Sequence, residues 1–283
     1  MQHAGLILEG GASRGVFTAG VLDFLMEQEF YFPYVCGVSA GACNAVDYVA
    51  RQAGRTRQCM ISREKEFSYV NLKSVVEQHS LFDMDMIFDK FPNEIFPFDF
   101  ETYFHSGIKC DLVVTSAESG RAEYKDERQD KKRLMRICRA SSSIPLFSPV
   151  VTLDNSRYVD GGIADAIPIA HALRLGYKKN VIILTRNKGY RKSEPKSTRG
   201  VYAVALKKYP NLLNTVLNRY LIYNHELSAV EKWEQEGRVF VIRPAIPPVK
   251  RTEHDYVTLS AFYEHGYETM KENFGKMQEY LNA

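Results

Sequence analysis

Tyr34-Val35-Cys36-Gly37-Val38-Ser39-Ala40-Gly41 is the stretch from which the rest of the chain can be read. Tyr34-Val35-Cys36 reads as a buried strand. Residues 40–53, rich in alanine and other helix-tolerant side chains, read as the helix that follows. Between them lies G-x-S-x-G, the spacing of a strand-to-helix turn that lifts a serine hydroxyl clear of the sheet. Gly37 and Gly41 suit such a turn because a Cβ there would obstruct close strand–helix approach.

Upstream, Gly5 to Leu8 reads as a first strand. It runs into Glu9-Gly10-Gly11-Ala12-Ser13-Arg14-Gly15, and an amphipathic helix follows over 16–29 with Phe17, Val21, Phe24 and Leu25 on one side. A glycine-rich turn at the start of a helix exposes backbone N–H groups at its positive end and favours an anion. A nucleotide-binding P-loop is excluded, because Gly15 is followed by Val16 where Lys-Ser/Thr is needed. A dinucleotide fingerprint fails as well. Ala12 stands at its second glycine, and Asp23 lies inside the helix, not at a strand end. What remains is a set of donors for negative charge developing on a neighbouring reaction centre, with Ser39 on the next strand.

The third informative string is Asp160-Gly161-Gly162, after the short strand-like run Arg157-Tyr158-Val159. Gly10-Gly11-Ala12-Ser13-Arg14-Gly15, Gly37-Val38-Ser39-Ala40-Gly41 and Asp160-Gly161-Gly162, in that order, resemble the three signatures of the patatin-like phospholipase family. The likeness extends to Ser141-Ser142-Ser143-Ile144-Pro145 and to Pro168, and covers roughly residues 4–184. It implies a serine acyl hydrolase with a Ser–Asp dyad and an acyl-enzyme intermediate. Ser39 would be the nucleophile and Asp160 its base, with Gly161 and Gly162 turning the chain after it. Gly10, Gly11, Ala12, Arg14 and Gly15 would form the oxyanion loop. Ala12 departs from the family, which often has a third glycine there; a positive φ would cost alanine about 1 kcal/mol.

An aspartate starts as a weaker base than histidine by about 3.5 kcal/mol, since the reference pKa values are near 3.9 and 6.5. Burial can raise a carboxylate by up to about 3–5 units and close that gap. Seven histidines are present, but none is assigned to catalysis. His171 lies on the helix expected after Pro168; His225, His254 and His265 fall in the last third; His3, His79 and His105 have no partner motif. No step of acyl transfer by Ser39 and Asp160 calls for a metal or an organic cofactor.

The fold class expected is α/β. Strands over 111–117, 121–124, 181–184 and 239–242 alternate with a helix over 126–139 that turns Leu134, Ile137 and Cys138 inward. This points to a mainly parallel sheet covered on both faces. The resemblance implies a three-layer patatin-like fold with added C-terminal helices. Only one strand and one helix fit before Ser39, which separates the chain from an ordinary α/β-hydrolase. Residues 1–184 are expected as the catalytic core. Residues 185–283 form a C-terminal extension packed on it, in one continuous domain.

Composition sets outer bounds. A net charge of +3 over 283 residues gives no argument for nucleic acid, and no nucleic-acid motif is present. No apolar run reaches the roughly 18–20 residues that cross a bilayer, and the N-terminus lacks a basic-then-apolar signal pattern. Five scattered cysteines without close pair spacing suggest reduced thiols and a cytoplasmic setting. Cys36 and Cys43 flank the elbow as small core residues.

Three segments could meet substrate, membrane or a second copy. Residues 80–104 hold Phe82, Met84, Ile87, Phe88, Phe91 and Phe96 among other apolar side chains, either as a lid or acyl-chain wall or as core packing. Residues 186–208 carry eight basic side chains against Glu194, either as a docking face for anionic lipid or as solvated loop. In the last third, Leu213, Val216, Leu217, Tyr220, Leu221, Leu227 and Val230 recur at helical spacing, as do Leu259, Phe262, Tyr263, Gly266, Tyr267, Met270, Phe274 and Met277. These helices would pack on the core or support dimerisation; the chemistry above asks nothing of them. The oligomeric state is not legible. An acyl-ester lipid is the expected substrate, with peripheral contact to an anionic membrane. A small-ester or thioester hydrolase or acyltransferase, or a lipid-binding regulator with weak catalysis, are the alternatives.

Overall fold

The computed structural model describes residues 3–64 and 80–283, so His79 lies outside the described residues. Eight strands among them form one sheet: β1 (Ala4–Leu8), β2 (Tyr34–Val38), β3 (Lys109–Ser116), β4 (Ala122–Lys125), β5 (Val151–Leu153), β6 (Ser156–Asp160), β7 (Lys179–Ile183) and β8 (Val239–Ile242). The order is β5-β6-β3-β2-β1-β7-β8, with β4 also paired to β3. The run β3-β2-β1-β7-β8 is parallel throughout. Strands β4, β5 and β6 are antiparallel to their neighbours. The mainly parallel sheet expected from the sequence is therefore present, with an antiparallel margin.

Alternation along the strands sorts side chains into two layers. Leu6, Leu8, Val35, Leu112, Val114, Val181 and Ile183 pack with α1 (Gly15–Glu27), α2 (Ala40–Val49), α4 (Lys131–Ser141) and α7 (Tyr256–Asn282). Between α2 and α4 in sequence comes the short α3 (Arg55–Met60). Ile7, Cys36, Val38, Val113, Ile182 and Leu184 face the other way, against α5 (Ile169–Arg174) and α6 (Pro210–Gln235). Strands covered on both faces need apolar side chains at successive positions, which is why β1, β2 and β7 read as near-continuous apolar runs. The result is three layers, helices on sheet on helices.

Several boundaries differ from the sequence reading, each for a local reason. The helix expected over 126–139 begins at Lys131. Asp130 accepts the N–H groups of Lys132 and Arg133 as an N-cap, and Glu127 accepts those of Arg128, Gln129 and Asp130. The helix expected over 40–53 stops at Val49, just before Arg51 at φ +56°. Strand β5 was not anticipated because it is three residues long. Its connection to β6 is nevertheless a two-residue hairpin: Leu153 pairs with Ser156, and Asp154 and Asn155 both have positive φ. Asp-Asn is turn chemistry that the sequence displays openly.

The last helix is tightly seated. A Cβ at Gly20 in α1 would lie 2.1 Å from the carbonyl oxygen of Tyr263, and one at Gly266 in α7 would lie 2.1 Å from that of Phe17. The two helices thus touch backbone to backbone where they cross, and Phe17 packs on Phe262 at 5.6 Å between ring centroids. Alanine raises intrinsic helix propensity by about 1 kcal/mol over glycine, so a steric penalty here works against propensity. Gly20→Ala and Gly266→Ala are each expected to lower unfolding free energy in urea by about 1–3 kcal/mol. Gly275→Ala, on the same helix where nothing lies within 4 Å, is expected to raise it by up to about 1 kcal/mol.

Candidate active site

Strand pairing alone brings Ser39 and Asp160 together. Leu112 and Val113 pair with β2 and with β4, so those two strands lie on opposite sides of β3. Val114 and Thr115 pair with β4 and with β6, so β6 lies on the same side as β2. Strand β2 ends with Val38 opposite Val113, and β6 ends with Asp160 opposite Val114. The two strands therefore meet end to end along β3, and the residues at their junction are Ser39 and Asp160.

Ser39 sits at φ 57° and ψ −123°, between β2 and α2. Serine rarely occupies this backbone region, and the strain is held by surrounding contacts. A Cβ at Gly37 would lie 2.3 Å from the Gly41 oxygen, and one at Gly41 would lie 2.4 Å from the Leu8 oxygen. Glycine at both positions is thus a requirement of close approach. The Ser39 N–H donates to Ser141 Oγ at 2.9 Å, and Ser141 Oγ donates onward to the Val113 oxygen at 2.6 Å. Ser39 itself is only 6% exposed.

Asp160 is 2% exposed. Its Oδ1 accepts the Gly162 N–H at 2.8 Å, its own N–H donates to the Ser143 oxygen at 2.8 Å, and Thr115 Oγ1 donates to its carbonyl at 2.9 Å. Ser39 and Asp160 line the same small cavity. Burial pushes the Asp160 carboxyl above the usual aspartate range. Arg219, Ser39, the Gly162 N–H and Arg251 pull the other way without cancelling that rise.

The loop between β1 and α1 lies beside both residues. Glu9 anchors its start: Oε1 accepts the Tyr223 hydroxyl at 2.8 Å, and Oε2 accepts the Thr185 N–H at 2.6 Å. Ala12 does adopt positive φ, +49°, so the departure from glycine falls at a strained position. Of the loop residues singled out in the sequence, Arg14 donates its N–H to the Gly11 oxygen, and Gly15 donates to the oxygens of Ala12 and Ser13. The N–H groups of Gly10, Gly11 and Ala12 make no backbone hydrogen bond among the described residues.

Two cavities meet at Ser39. The larger, about 110 Å³, is apolar. It follows one face of α2 through Ala40, Cys43 and Val46, and Phe82, Met84, Ile87, Phe88 and Phe91 wall it on the other side. Five residues of the aromatic segment thus face this space, while Phe96 packs against Phe91 at 5.1 Å between ring centroids. The smaller cavity, about 30 Å³, is polar. Glu9, Gly10, Gly11, Asp160 and Gly162 line it, together with Arg14, Arg186, Lys192, Arg219 and Arg251. Ser39, Ala12 and Ile144 belong to both.

Two contributions were not foreseen. Ser141 and Ser143 fasten Ser39 and Asp160 through their hydrogen bonds, roles only coarsely signalled by the Ser141-to-Pro145 string. The last hundred residues, of which the sequence reading asked nothing, bring Arg219 and Arg251 to the polar cavity. The Arg251 carbonyl also accepts the N–H and hydroxyl of Ser13 at 3.2 and 2.9 Å. Among the described residues no histidine lines either cavity. His171 Nε2 contacts Asp111 at 3.0 Å and its ring stacks on Tyr124, and the His105 ring contacts the Glu101 carbonyl. All five cysteines are free, and burial pushes the Cys36 and Cys43 thiols up, the latter to about 12. No helix among the described residues is long and apolar enough to cross a membrane.

Comparison with known proteins bears on the family of the chain. The family model described as patatin-like phospholipase matches residues 6–173, more than half of the chain. A domain of unknown function (DUF6363) matches residues 209–282. An uncharacterized protein of Escherichia coli (strain K12), YjjU, is 32% identical over 193 residues, covering 64% of this chain and 51% of its own length. The chain thus spans about half the length of that relative. The crystal structure of VipD from Legionella pneumophila is similar at a TM-score of 0.47 and 12% identity, covering 98% of this chain and 67% of that one. With the family match running through all three signature strings, the chain belongs to the patatin-like phospholipase family.

Proposed function

We propose that the protein is a serine hydrolase of lipid acyl esters, working through Ser39 and Asp160. The observation that carries this reading is the junction of β2 and β6. It sets a strained serine beside a buried carboxyl at the point where an apolar and a polar cavity meet. The Ser39 oxygen attacks the ester carbonyl carbon while its proton passes to Asp160. The N–H groups of Gly10, Gly11 and Ala12 receive the oxyanion. As the tetrahedral intermediate collapses, the bond to the alcohol oxygen breaks and Asp160 returns the proton to it. Water then attacks the acyl-enzyme, giving its proton to Asp160, and the acid leaves as Ser39 is reprotonated. The acyl chain lies along α2 in the apolar cavity. From Ser39 to Val46 that face is about 10 Å long, at 1.5 Å rise per residue.

Wild-type protein is expected to label with a fluorophosphonate and to hydrolyse p-nitrophenyl esters. Ser39→Ala is expected to lose the label and at least about a thousandfold in kcat, with its unfolding midpoint retained. Persistence of wild-type turnover in that variant would sink the assignment.

The pH dependence follows from burial of Asp160. Only the ionised form can accept the serine proton, and a raised pKa keeps the carboxyl protonated to higher pH. The acidic limb of kcat/KM is therefore expected above the ordinary aspartate range near 3.9. Arg219→Gln, which removes the largest downward pull on that carboxyl, should move the limb further up. A limb that moved down would contradict this account.

Val46→Phe, at the far end of the apolar cavity, shortens the space along α2. With each buried methylene contributing about 0.8 kcal/mol, the ratio of kcat/KM for a long-chain over a short-chain ester should fall about tenfold. A ratio unchanged by Val46→Phe would mean that the chain lies elsewhere.

A further inference from the structure

The larger cavity at Ser39 is apolar except at one end. Along α2, Ala40, Cys43 and Asp47 follow one another at helical spacing on the face that lines it, and Asp47 meets the cavity together with Arg55 and Thr56 of α3. Both oxygens of the buried Asp47 carboxylate are taken. Arg55 Nη1 donates to Oδ1 at 2.8 Å, and Thr56 Oγ1 donates to Oδ2 at 2.6 Å. Arg55 also donates from Nε to the Phe96 carbonyl at 3.1 Å, and its guanidinium lies 5.2 Å from the centre of the Phe98 ring. Beside it, Gln52 Nε2 donates to the Pro97 carbonyl and Gln52 Oε1 accepts the Asp99 N–H, each at 2.9 Å. The chain leaving the aromatic wall is thus stitched to the end of α2 and the start of α3.

These contacts lie across the path of an acyl chain that starts at Ser39 and follows α2. From Ser39 to Asp47 that path is about 12 Å, at 1.5 Å rise per residue. An extended alkyl chain advances about 1.3 Å per carbon, from bonds near 1.5 Å at tetrahedral angles, so about nine carbons reach the carboxylate. Volume is the tighter limit. An apolar cavity of about 150 Å³ takes a benzene molecule, so the one here, about 110 Å³, holds roughly five carbons before its walls give way. A wall side chain such as Met84 can give way, because methionine is flexible and soft. The ion pair cannot do so as cheaply. Parting it leaves a buried charge without its partner, which costs more than one further methylene gains.

We propose that Asp47, Arg55 and Thr56 form a polar stop for the acyl chain, which restricts the protein to esters of short and medium-chain acids, up to about nine carbons. The proposal rests on the serine-hydrolase reading of Ser39 and adds a limit that an unbroken apolar tunnel would not impose. One helix then carries both ends of the measurement. The nucleophile precedes the first residue of α2, and the stop stands near its last turn.

The test measures kcat/KM for p-nitrophenyl butanoate, octanoate and dodecanoate in wild type and in the double variant Asp47→Leu/Arg55→Met, which removes both charges together. In wild type the value for dodecanoate is expected to lie at least about tenfold below that for octanoate. In the double variant the ratio of dodecanoate to octanoate should rise at least about tenfold. Labelling of wild type by octyl and dodecyl fluorophosphonates reads the same limit without any substitution, so the test does not depend on the variant folding. The octyl reagent is expected to label at least about tenfold faster. Wild type that cleaves dodecanoate as well as octanoate, or labels equally fast with both reagents, overturns the stop and leaves Ser39 chemistry standing. A double variant that takes the label but keeps the wild-type chain-length profile overturns the stop as well. Wild type that hydrolyses no ester and takes no label overturns the hydrolase reading and the stop with it.

Discussion

Everything at this site depends on two strands abutting on one side of β3. β2 arrives parallel and stops at Val38; β6 arrives antiparallel and stops at Asp160, one step further along the same edge. Backbone hydrogen bonds fix the register of both, so the sheet sets Asp160 and the start of the turn that carries Ser39. A slip of one residue in β6 would turn Asp160 to the opposite face. Ser141 and Ser143 add a second fastening from the end of α4, one to the Ser39 N–H and the other to the Asp160 N–H. A strained serine can persist only where its surroundings are this firmly determined.

The C-terminal segment is joined to that centre mechanically as well as electrostatically. β8 extends the parallel sheet beside β7, and α7 crosses α1 at the Gly20–Gly266 contact. The Tyr263 hydroxyl donates to Asp23 in the middle of α1 at 2.6 Å. Ahead of α7, the Arg251 carbonyl holds Ser13 in the loop that starts α1. Tyr223, in the middle of α6, holds Glu9 at the other end of the same loop. The loop is thus gripped at both ends by residues more than two hundred positions away.

Much of this was legible in the sequence because it follows from short-range necessity. Gly37 and Gly41 are demanded by backbone contacts within their own β-α unit, and the apolar runs of β1, β2 and β7 by burial on both faces. Strand and helix order before Ser39 was equally plain. What escaped was long-range. Nothing local marks Arg219 on α6 as a wall of the Ser39 cavity, since its helical spacing is that of any partly exposed side chain. Arg186 and Lys192 sat in a basic run that read as surface, although the fold turns both inward and leaves Lys188 and Lys196 exposed. The late start of α4 came from three N–H groups sharing the Glu127 carboxylate, a loop arrangement without a periodic signature.

No histidine among the described residues lines this centre, and the electrostatics of Asp160 bear on what it must do there. A buried carboxylate in a wholly apolar site would stay protonated near neutrality and could not accept a proton. One surrounded by cations at the surface would stay ionised but be too weak a base. Asp160 lies between those limits, with burial raising its pKa and Arg219 and Arg251 holding that rise in check.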